Sequence, residues 1–172
     1  IHLKIYAKLK LMKSQLKFEI NYTCFDKYED APEIYQQLIT EAREAKKAAY
    51  APYSNFNVGA ALLLNNGKII HGSNQENAAY PIGFCAERTA LSAAASLAAH
   101  EKIKAIAITC SSANNPVLKP AAPCGICRQT IFEAECKHHQ DIEVILMGES
   151  GPIYIFKSIK DLLPLHFDAD FL

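Results

Sequence analysis

The sequence predicts an α/β fold with three layers, α-β-α, in which helices cover both faces of a mixed five-stranded sheet. Helix-like and strand-like segments follow one another in the order α-β-β-α-β-α-β-β, and such an alternation is typical of one sheet packed between helices. The last two strands are joined only by residues 148–152. Because a parallel crossover needs about a dozen residues or more, we expect these two strands to be antiparallel neighbours.

The composition is that of one globular domain. Of the 172 residues, 50% are hydrophobic and 21% are charged, and 18 basic side chains are balanced by 18 acidic ones. This apolar content can fill a core, whereas the balanced charge offers no general positive field for a nucleic-acid backbone. The sequence has no run of about 18 apolar residues, so we predict no membrane-spanning helix. We therefore expect neither a nucleic-acid partner nor a membrane partner.

The first thirty residues differ from the rest, and we divide the chain into an N-terminal extension, residues 1–29, and a globular domain, residues 30–172. Residues 1–11 alternate Lys with apolar side chains and lack Met, so Met12 is a candidate start that upstream or added sequence would precede. We expect residues 13–28 to pack on the domain surface. The start of the chain lacks the apolar block and the small-residue cleavage site of a signal peptide, which favours a cytoplasmic location.

The domain opens with a helix and a β-hairpin. Asp30 and Glu33 have the spacing of a capping box, apolar residues then repeat along one helical face, and Pro52 ends the helix. Residues 56–64 are apolar and strand-like. Residues 68–73 form the returning strand, because the Asn-Asn-Gly sequence between the two segments favours a tight hairpin turn.

Two more helices and three more strands follow. Residues 85–99 form an Ala-rich helix, whose small side chains permit close approach of another backbone, and residues 103–109 form a short buried strand. Residues 124–135 form a helix that a proline opens. Residues 142–147 and 153–156 are the last two strands.

Three of the six cysteines lie in two short segments that have the chemistry of a metal site. The segments read Cys85-Ala86-Glu87 and Pro123-Cys124-Gly125-Ile126-Cys127. Both open predicted helices, where free N–H groups and the helix dipole favour thiolates. Three thiolates would leave the fourth zinc position to water, as in catalytic rather than structural zinc sites, and Glu87 would lie beside that water.

Other interpretations of these cysteines stay open at this point. The Cys-x-x-Cys pair is also compatible with redox chemistry, and the cysteines can be buried free thiols. A structural zinc module would need a fourth protein ligand, for which Cys110 and Cys136 are candidates if folding brings them close. In such a structural site Glu87 would have no catalytic role.

Further motifs surround the two cysteine segments. Together they are YAPYSNF at 50–56, VGAA at 58–61, NQENAAY at 74–80, CAERTA at 85–90, PCGICRQ at 123–129 and LLP at 162–164, with Phe167. With these motifs the chain resembles the small homotetrameric cytidine deaminases of the zinc-dependent cytidine and deoxycytidylate deaminase superfamily, from about Glu33 to Phe167. The extension has no counterpart in that family, and Gln75 stands where an apolar residue is usual.

The resemblance implies that Cys85, Cys124 and Cys127 bind Zn²⁺ and that Glu87 shuttles protons. Arg88 matches an arginine that hydrogen-bonds the zinc thiolates. The implied reaction is the hydrolytic deamination of cytidine and deoxycytidine to uridine and deoxyuridine, in which hydroxide formed at zinc attacks C4 and ammonia departs. Residues 30–172 would then be the catalytic domain of an enzyme of pyrimidine salvage.

The resemblance also implies how the nucleoside is bound. Asn74 and Glu76 match a pair that hydrogen-bonds the ribose. Phe56 matches a ring that packs on the pyrimidine, and Ala86 matches a residue whose backbone N–H meets the base. Phe167 matches an aromatic side chain that reaches the site of a neighbouring subunit, so a homotetramer is expected.

Two other deaminase classes remain as rivals. A blasticidin-type deaminase would share the zinc and the glutamate but should lack the ribose pair, Asn74 and Glu76. Nucleic-acid editing deaminases agree less well with the balanced charge and with the antiparallel last hairpin.

Overall fold

Six strands form one sheet in the computed structural model, which describes residues 17–172. Across the sheet the order is β1-β6-β5-β4-β2-β3. The Lys-rich alternation and the candidate start Met12 lie outside the described residues. Along the chain the elements are β1 (Thr23–Phe25), α1 (Glu33–Lys46), β2 (Phe56–Leu64), β3 (Ile69–Ser73), α2 (Ala86–Leu97), β4 (Ile103–Ser112), α3 (Gly125–His138), β5 (Glu143–Met147) and β6 (Ile153–Phe156).

For neighbouring strands that follow one another along the chain, the directions agree with the lengths of the connections. β4 and β5 run parallel, and α3 lies in the crossover between them. The other neighbouring pairs of the described sheet are antiparallel. Val144 of β5 faces Phe156 of β6 in an antiparallel register, which confirms the prediction drawn from the short link between these strands.

Helices cover both faces of the sheet, which confirms the three-layer α-β-α prediction. On one face Leu38 of α1 shares an apolar cluster with Ala61 of β2. On the other face Ala90 of α2 and Ile131 of α3 share a second cluster with Leu62 of β2. Successive side chains of a strand point to opposite faces, so a strand between two helical layers is apolar at nearly every position.

The sheet has six strands rather than the predicted five, because part of the extension joins it. Thr23 of β1 pairs with Ile155 of β6 in an antiparallel register. The ring of Tyr22 lies 4.9 Å from that of Tyr154 and 5.3 Å from that of Phe156, measured between centroids. Without β1, β6 would be an edge strand with unpaired N–H and C=O groups. Pairing with β1 satisfies these groups.

The two ends of α1 also differ from the prediction. Pro32 is the N-cap residue and no side chain caps the helix, so the capping box of Asp30 and Glu33 does not form. Asp30 lies instead in a short 3₁₀ turn. The helix ends at Lys46, ahead of Pro52, because the chain leaves it to bridge from Tyr50 to the segment after β3.

Two glycines allow strands to pack directly against the backbones of helices. A Cβ atom on Gly59 of β2 would overlap the carbonyl oxygen of Ala42 in α1. A Cβ atom on Gly72 of β3 would overlap the carbonyl oxygen of Ala86 and the amide nitrogen of Ala90 in α2. The strand β3 therefore lies directly against the first turns of α2. Among the described helices, none combines the length and the apolar character needed to cross a membrane.

Candidate active site

The starts of α2 and α3 meet the start of β2, the segment after β3 and the end of β4 around a cavity of about 710 Å³. Polar and sulfur-bearing side chains come from several of these elements, and apolar side chains such as Val58 and Ile108 line the rest. Seven of the ten site residues predicted from the sequence line the cavity: Phe56, Asn74, Glu76, Cys85, Ala86, Glu87 and Cys124.

The helix starts bring three thiols together. Cys85 and Cys124 are the N-cap residues of α2 and α3, and Cys127 lies buried in the first turn of α3. The Sγ atoms of Cys85 and Cys124 are 3.8 Å apart, and those of Cys124 and Cys127 are 3.5 Å apart. All three sulfurs lie within 4.8 Å of one another. Both helix dipoles therefore point their positive ends at the same group of sulfurs.

The spacing of the sulfurs fits one zinc ion. Tetrahedral zinc with Zn–S bonds of about 2.3 Å holds its sulfur ligands about 3.8 Å apart. Cys110 and Cys136 do not belong to the cluster that residues 17–172 form, so the fourth ligand of a structural zinc module is not found there. All six cysteines are free thiols. The donor set is thus that of a three-ligand site with room for a further group.

The sulfurs influence one another's protonation. The hydrogen bond with Cys127 is the largest cause that lowers the pKa of the Cys85 thiol to about 6, and the bond with Cys124 and the charge of Arg88 act in the same direction. The same bond with Cys85, helped by burial, raises the pKa of Cys127. One sulfur of the group is therefore held as a thiolate, which is the form that binds metals.

Glu87 is a buried carboxyl group in the cavity wall. It lies in the first turn of α2, two residues after Cys85, and its side chain is only 4% exposed. Burial is the main cause that raises the pKa of Glu87 above its usual range. A carboxyl group held this way can carry a proton nearer to neutral pH, which suits acid–base chemistry.

Asn74 connects the segment after β3 to β2. Its Oδ1 accepts a hydrogen bond of 2.8 Å from the backbone N–H of Val58, and its Nδ2 donates one of 2.9 Å to the carbonyl oxygen of Phe56. Phe56 and the fully buried Ala86 lie on other walls of the same cavity. Ala86 is the first residue of α2, where a backbone N–H has no partner within the helix.

Glu76 is oriented by the loop before β2. Its carboxylate accepts hydrogen bonds from the backbone N–H groups of Tyr53, at 2.9 Å, and Ser54, at 3.3 Å. The bond from the Ser54 side chain is the main cause that lowers the pKa of Glu76. Tyr53 also lines the cavity with Tyr80, and their ring centroids are 5.6 Å apart. Both tyrosines lie in motifs of the sequence, but no role was predicted for them.

A short backbone bridge joins the segment after β3 to the start of α2. Gln75 donates its N–H to the carbonyl oxygen of Phe84 at 2.8 Å and accepts the N–H of Phe84 at 2.9 Å. Gln75 lies between Asn74 and Glu76, and Phe84 directly precedes Cys85. The bridge therefore fixes the two polar side chains relative to the thiol cluster. The Gln75 side chain, unusual at this position, donates to the carbonyl oxygen of Ala48.

Arg88 and Phe167 lie outside the cavity wall. The guanidinium carbon of Arg88 lies 4.4 Å from the ring centroid of Phe84, and the described hydrogen bonds include none from Arg88 to a sulfur. Phe167 is 57% exposed and stacks on Phe171, with ring centroids 5.5 Å apart. The structure thus brings eight of the ten predicted residues together and leaves these two apart from the cavity of their own chain.

Cys110 belongs to the cavity but was considered in the sequence only as a fourth metal ligand. The predicted strand stops at residue 109, whereas β4 continues to Ser112. In the longer strand Cys110 faces the same side as Ile108, which also lines the cavity. Because side chains alternate along a strand, a strand predicted to end at Ser112 would have placed Cys110 on the same side as Ile108.

Residues 32–140, more than half of the chain, match the family described as cytidine and deoxycytidylate deaminase zinc-binding region. A cytidine deaminase from Halalkalibacterium halodurans is 42% identical over 135 residues, which are 78% of this chain and 95% of the relative. The crystal structure of cytidine deaminase from Burkholderia pseudomallei is 45% identical, with a TM-score of 0.65 over 76% of this chain and 97% of that one. The structure of cytidine deaminase from Mycobacterium tuberculosis is 31% identical, with a TM-score of 0.60 over 78% of this chain and 97% of that one.

The chain therefore belongs to the family of zinc-binding cytidine and deoxycytidylate deaminases, and within it to the enzymes of the cytidine deaminase type, which are hydrolases. This confirms the resemblance drawn from the motifs. The α-β-α sheet architecture is that of the solved cytidine deaminases.

Proposed function

We propose that this chain hydrolyses the C4 amino group of cytidine and deoxycytidine, releasing ammonia and uridine or deoxyuridine, with zinc held by three cysteines. The observation that carries the proposal is the cluster of Cys85, Cys124 and Cys127 at two helix starts, with the buried Glu87 in the adjoining cavity wall. The names of the relatives support the substrate, since the Halalkalibacterium halodurans and Burkholderia pseudomallei proteins are both cytidine deaminases. The enzyme would serve pyrimidine salvage.

The donor set supports zinc rather than a harder cation. Three thiolates are soft ligands, which favour zinc over magnesium or calcium. When bound, zinc supplies Lewis acidity that lowers the pKa of a water molecule and makes it a nucleophile at neutral pH. Three thiolates carry one more charge than the metal neutralises. Two helix N-termini and the nearby charge of Arg88, which already lowers the pKa of Cys85, would offset that excess.

Glu87 would carry the protons. Its carboxylate accepts a proton from the attacking water and delivers it to ring N3 as the water oxygen bonds to C4. The second proton of the water then passes through Glu87 to the amino group on C4, and the C–N bond breaks as ammonia leaves. The raised pKa of Glu87 helps, because a group that both takes and gives a proton works best near the operating pH.

The remaining cavity residues would hold the nucleoside. A cavity of about 710 Å³ suits a small molecule. Phe56 would pack on the pyrimidine ring, and the backbone N–H of Ala86 would meet the base. Asn74 and Glu76 would hydrogen-bond the ribose hydroxyls, and their bonds to the backbone keep both side chains pre-oriented for that task.

We propose in addition that the chain forms a homotetramer. In a homotetramer Phe167 would enter the site of a neighbouring subunit, which agrees with its exposure and with its absence from the lining of the cavity of its own chain. Tyr80 lines the cavity and is 73% exposed, and Leu165 and Phe171 near Phe167 are exposed as well. Apolar side chains exposed in this way favour a subunit contact.

We also expect a division of the chain into two parts and a cytoplasmic location. Residues 30–172 would act as the catalytic domain, with residues 1–29 as an extension. The six free cysteines agree with a cytoplasmic location, because a reducing compartment keeps thiols from forming disulfides.

The substrate proposal is tested by following cytidine, deoxycytidine and free cytosine by ultraviolet absorbance, with ammonia measured in parallel. We expect conversion of both nucleosides, one ammonia per turnover, and poor conversion of cytosine. Cytosine lacks the sugar that Asn74 and Glu76 would bind, so the binding energy of those contacts is not available to the reaction. Asn74→Ala should slow cytidine turnover. Equal kcat/KM for cytosine and cytidine would contradict the roles of Asn74 and Glu76.

A further inference from the structure

The C-terminal segment runs back along α3 towards the thiol cluster. At the far end of the helix the buried carboxylate of Glu135 accepts hydrogen bonds from the Ser158 hydroxyl, at 2.9 Å, and from the backbone N–H of Ile159, at 3.1 Å. At the near end Gln129 donates to the carbonyl oxygen of Phe167 at 2.8 Å. The segment that leads to Phe167 is therefore held at both ends of the helix that carries Cys127.

Arg128 joins this segment to the residue before Cys124. Its Nε donates a 2.8 Å hydrogen bond to the carbonyl oxygen of Pro123, and one terminal nitrogen donates a 2.9 Å bond to the carbonyl oxygen of Leu162. The side chain is half-buried, and the ion pairs found among residues 17–172 do not include it. Its planar fork thus spans two backbone carbonyls that belong to different segments.

The position of Cys124 depends on a long irregular stretch. Residues 113–124, between β4 and α3, form no helix or strand. Cys127 lies within the helix, whereas Cys124 is its N-cap residue and ends the irregular stretch. The carbonyl oxygen of Cys124 accepts the backbone N–H of Arg128 at 2.9 Å, and the preceding residue, Pro123, is fastened by the Arg128 side chain. Arg128 lies on the same helix as Cys127, so it ties the two thiol-bearing residues into one geometry, with their sulfurs 3.5 Å apart.

We propose that Arg128 is a positioning residue, which holds Cys124 in place for zinc and couples the zinc site to the C-terminal segment through Leu162. This inference rests on the proposed function, because it takes the three thiols as zinc ligands. The role proposed for Arg128 differs from that of Arg88, whose positive charge lowers the pKa of Cys85. Groups that orient metal ligands typically change metal affinity about 10- to 100-fold when they are removed.

The test is the rate at which zinc-loaded protein releases zinc to a chromogenic chelator, measured for the wild type, Arg128→Gln and Arg128→Lys. Gln129→Ala is the matched control, because Gln129 bonds the same C-terminal segment but not Pro123. We expect Arg128→Gln to release zinc about 10- to 100-fold faster, with Arg128→Lys in between and Gln129→Ala at the wild-type rate. Circular dichroism checks that each variant is folded, and the lysine variant carries the test if the glutamine variant does not fold.

A second readout follows the coupling itself. Hydrogen exchange of the amides at 159–163 should slow when zinc is added to the wild type but not when it is added to Arg128→Gln. A wild-type rate of zinc release in Arg128→Gln would overturn the inference. A wild-type rate in Arg128→Lys would also overturn it, because a positive charge alone would then hold the site. Failure of the proposed function would give a different result, because the wild-type chain itself would then bind no zinc.

Discussion

At the residue scale, the proposed mechanism depends on a single carboxyl group, Glu87, beside three sulfurs. Glu87 lies two residues from Cys85 on the first turn of α2, buried in the cavity wall. A helical residue two positions after the N-cap does not face the cap side chain, and Glu87 is not part of the three-cysteine cluster. In the proposed mechanism the thiols and the carboxyl therefore have separate tasks, metal binding and proton transfer.

Replacing Glu87 by Gln should separate these tasks. The amide has nearly the same shape but cannot take and give a proton, so we expect kcat for cytidine to fall by about 10²- to 10⁴-fold. The zinc content should stay at the wild-type value. Glu133→Gln is the control, because Glu133 is an exposed glutamate of α3 outside the cavity. If metal-loaded Glu87→Gln turned over cytidine at the wild-type rate, Glu87 would have no part in the mechanism.

The site residues that could be predicted are those with a local motif. Cys85, Glu87, Cys124 and Cys127 stand at fixed spacings beside helix starts, and helix geometry alone then brings each set to one end of its helix. The contact of Arg88 with Phe84 could not be predicted in this way, because a long side chain chooses its partner only in the folded protein.

At the element scale, the site depends on how closely β3 approaches α2. Gly72 has no side chain, and the backbone of α2 occupies the space where a Cβ atom would lie. The same strand leads directly into Asn74 and Glu76, and the bridge from Gln75 to Phe84 leads back to Cys85. The distance between the polar wall and the thiol cluster is therefore set by this strand–helix contact.

Gly72→Ala should push the strand and the helix apart. Overpacking of a close backbone contact typically costs about 1–3 kcal/mol, so we expect the free energy of unfolding in denaturant to fall by that amount. Gly125→Ala is the matched control for stability, because no atom lies within 4 Å of a Cβ atom built there. Equal denaturation midpoints for Gly72→Ala and the wild type would show that the contact can relax without cost.

The sequence predicted most elements because their signals are local, and it missed those set by distant partners. The Asn-Asn-Gly turn and the five-residue link before β6 determined the strand directions around them. β1 is only three residues long and forms because the edge of β6 is free to pair with it. The early end of α1 likewise follows from the bridge between Tyr50 and Gln75, two positions that are distant in sequence.

At the scale of the whole molecule, Phe167, an aromatic residue of the motif set, does not line the cavity of its own chain. Phe167 is fastened by its backbone to Gln129 and stacks on Phe171 at the surface. The side chain is thus presented outward by a segment that is anchored along α3. A partner subunit that accepted it would gain a wall that excludes water from the base.

Sedimentation velocity should accordingly give four times the mass of one chain. Phe167→Ala should lower activity on cytidine while the zinc content and the folded state stay unchanged, because the lost ring would belong to the neighbour's cavity. Lys157→Ala serves as a control, since Lys157 is exposed, lies outside the cavity and precedes the residues bound at the other end of α3. A monomer that is fully active at assay concentration would contradict the shared site but not the zinc chemistry.

The central claim is that the three-cysteine cluster holds one zinc ion on which deamination depends. The most direct measurement strips the metal with a chelator, returns zinc in substoichiometric steps, and follows cytidine turnover at each step. We predict that activity rises in proportion to bound zinc and reaches its maximum at one ion per chain, and that Cys127→Ala recovers none of it. Full activity in the stripped protein, or one bound zinc per chain without any turnover of cytidine, would contradict the account.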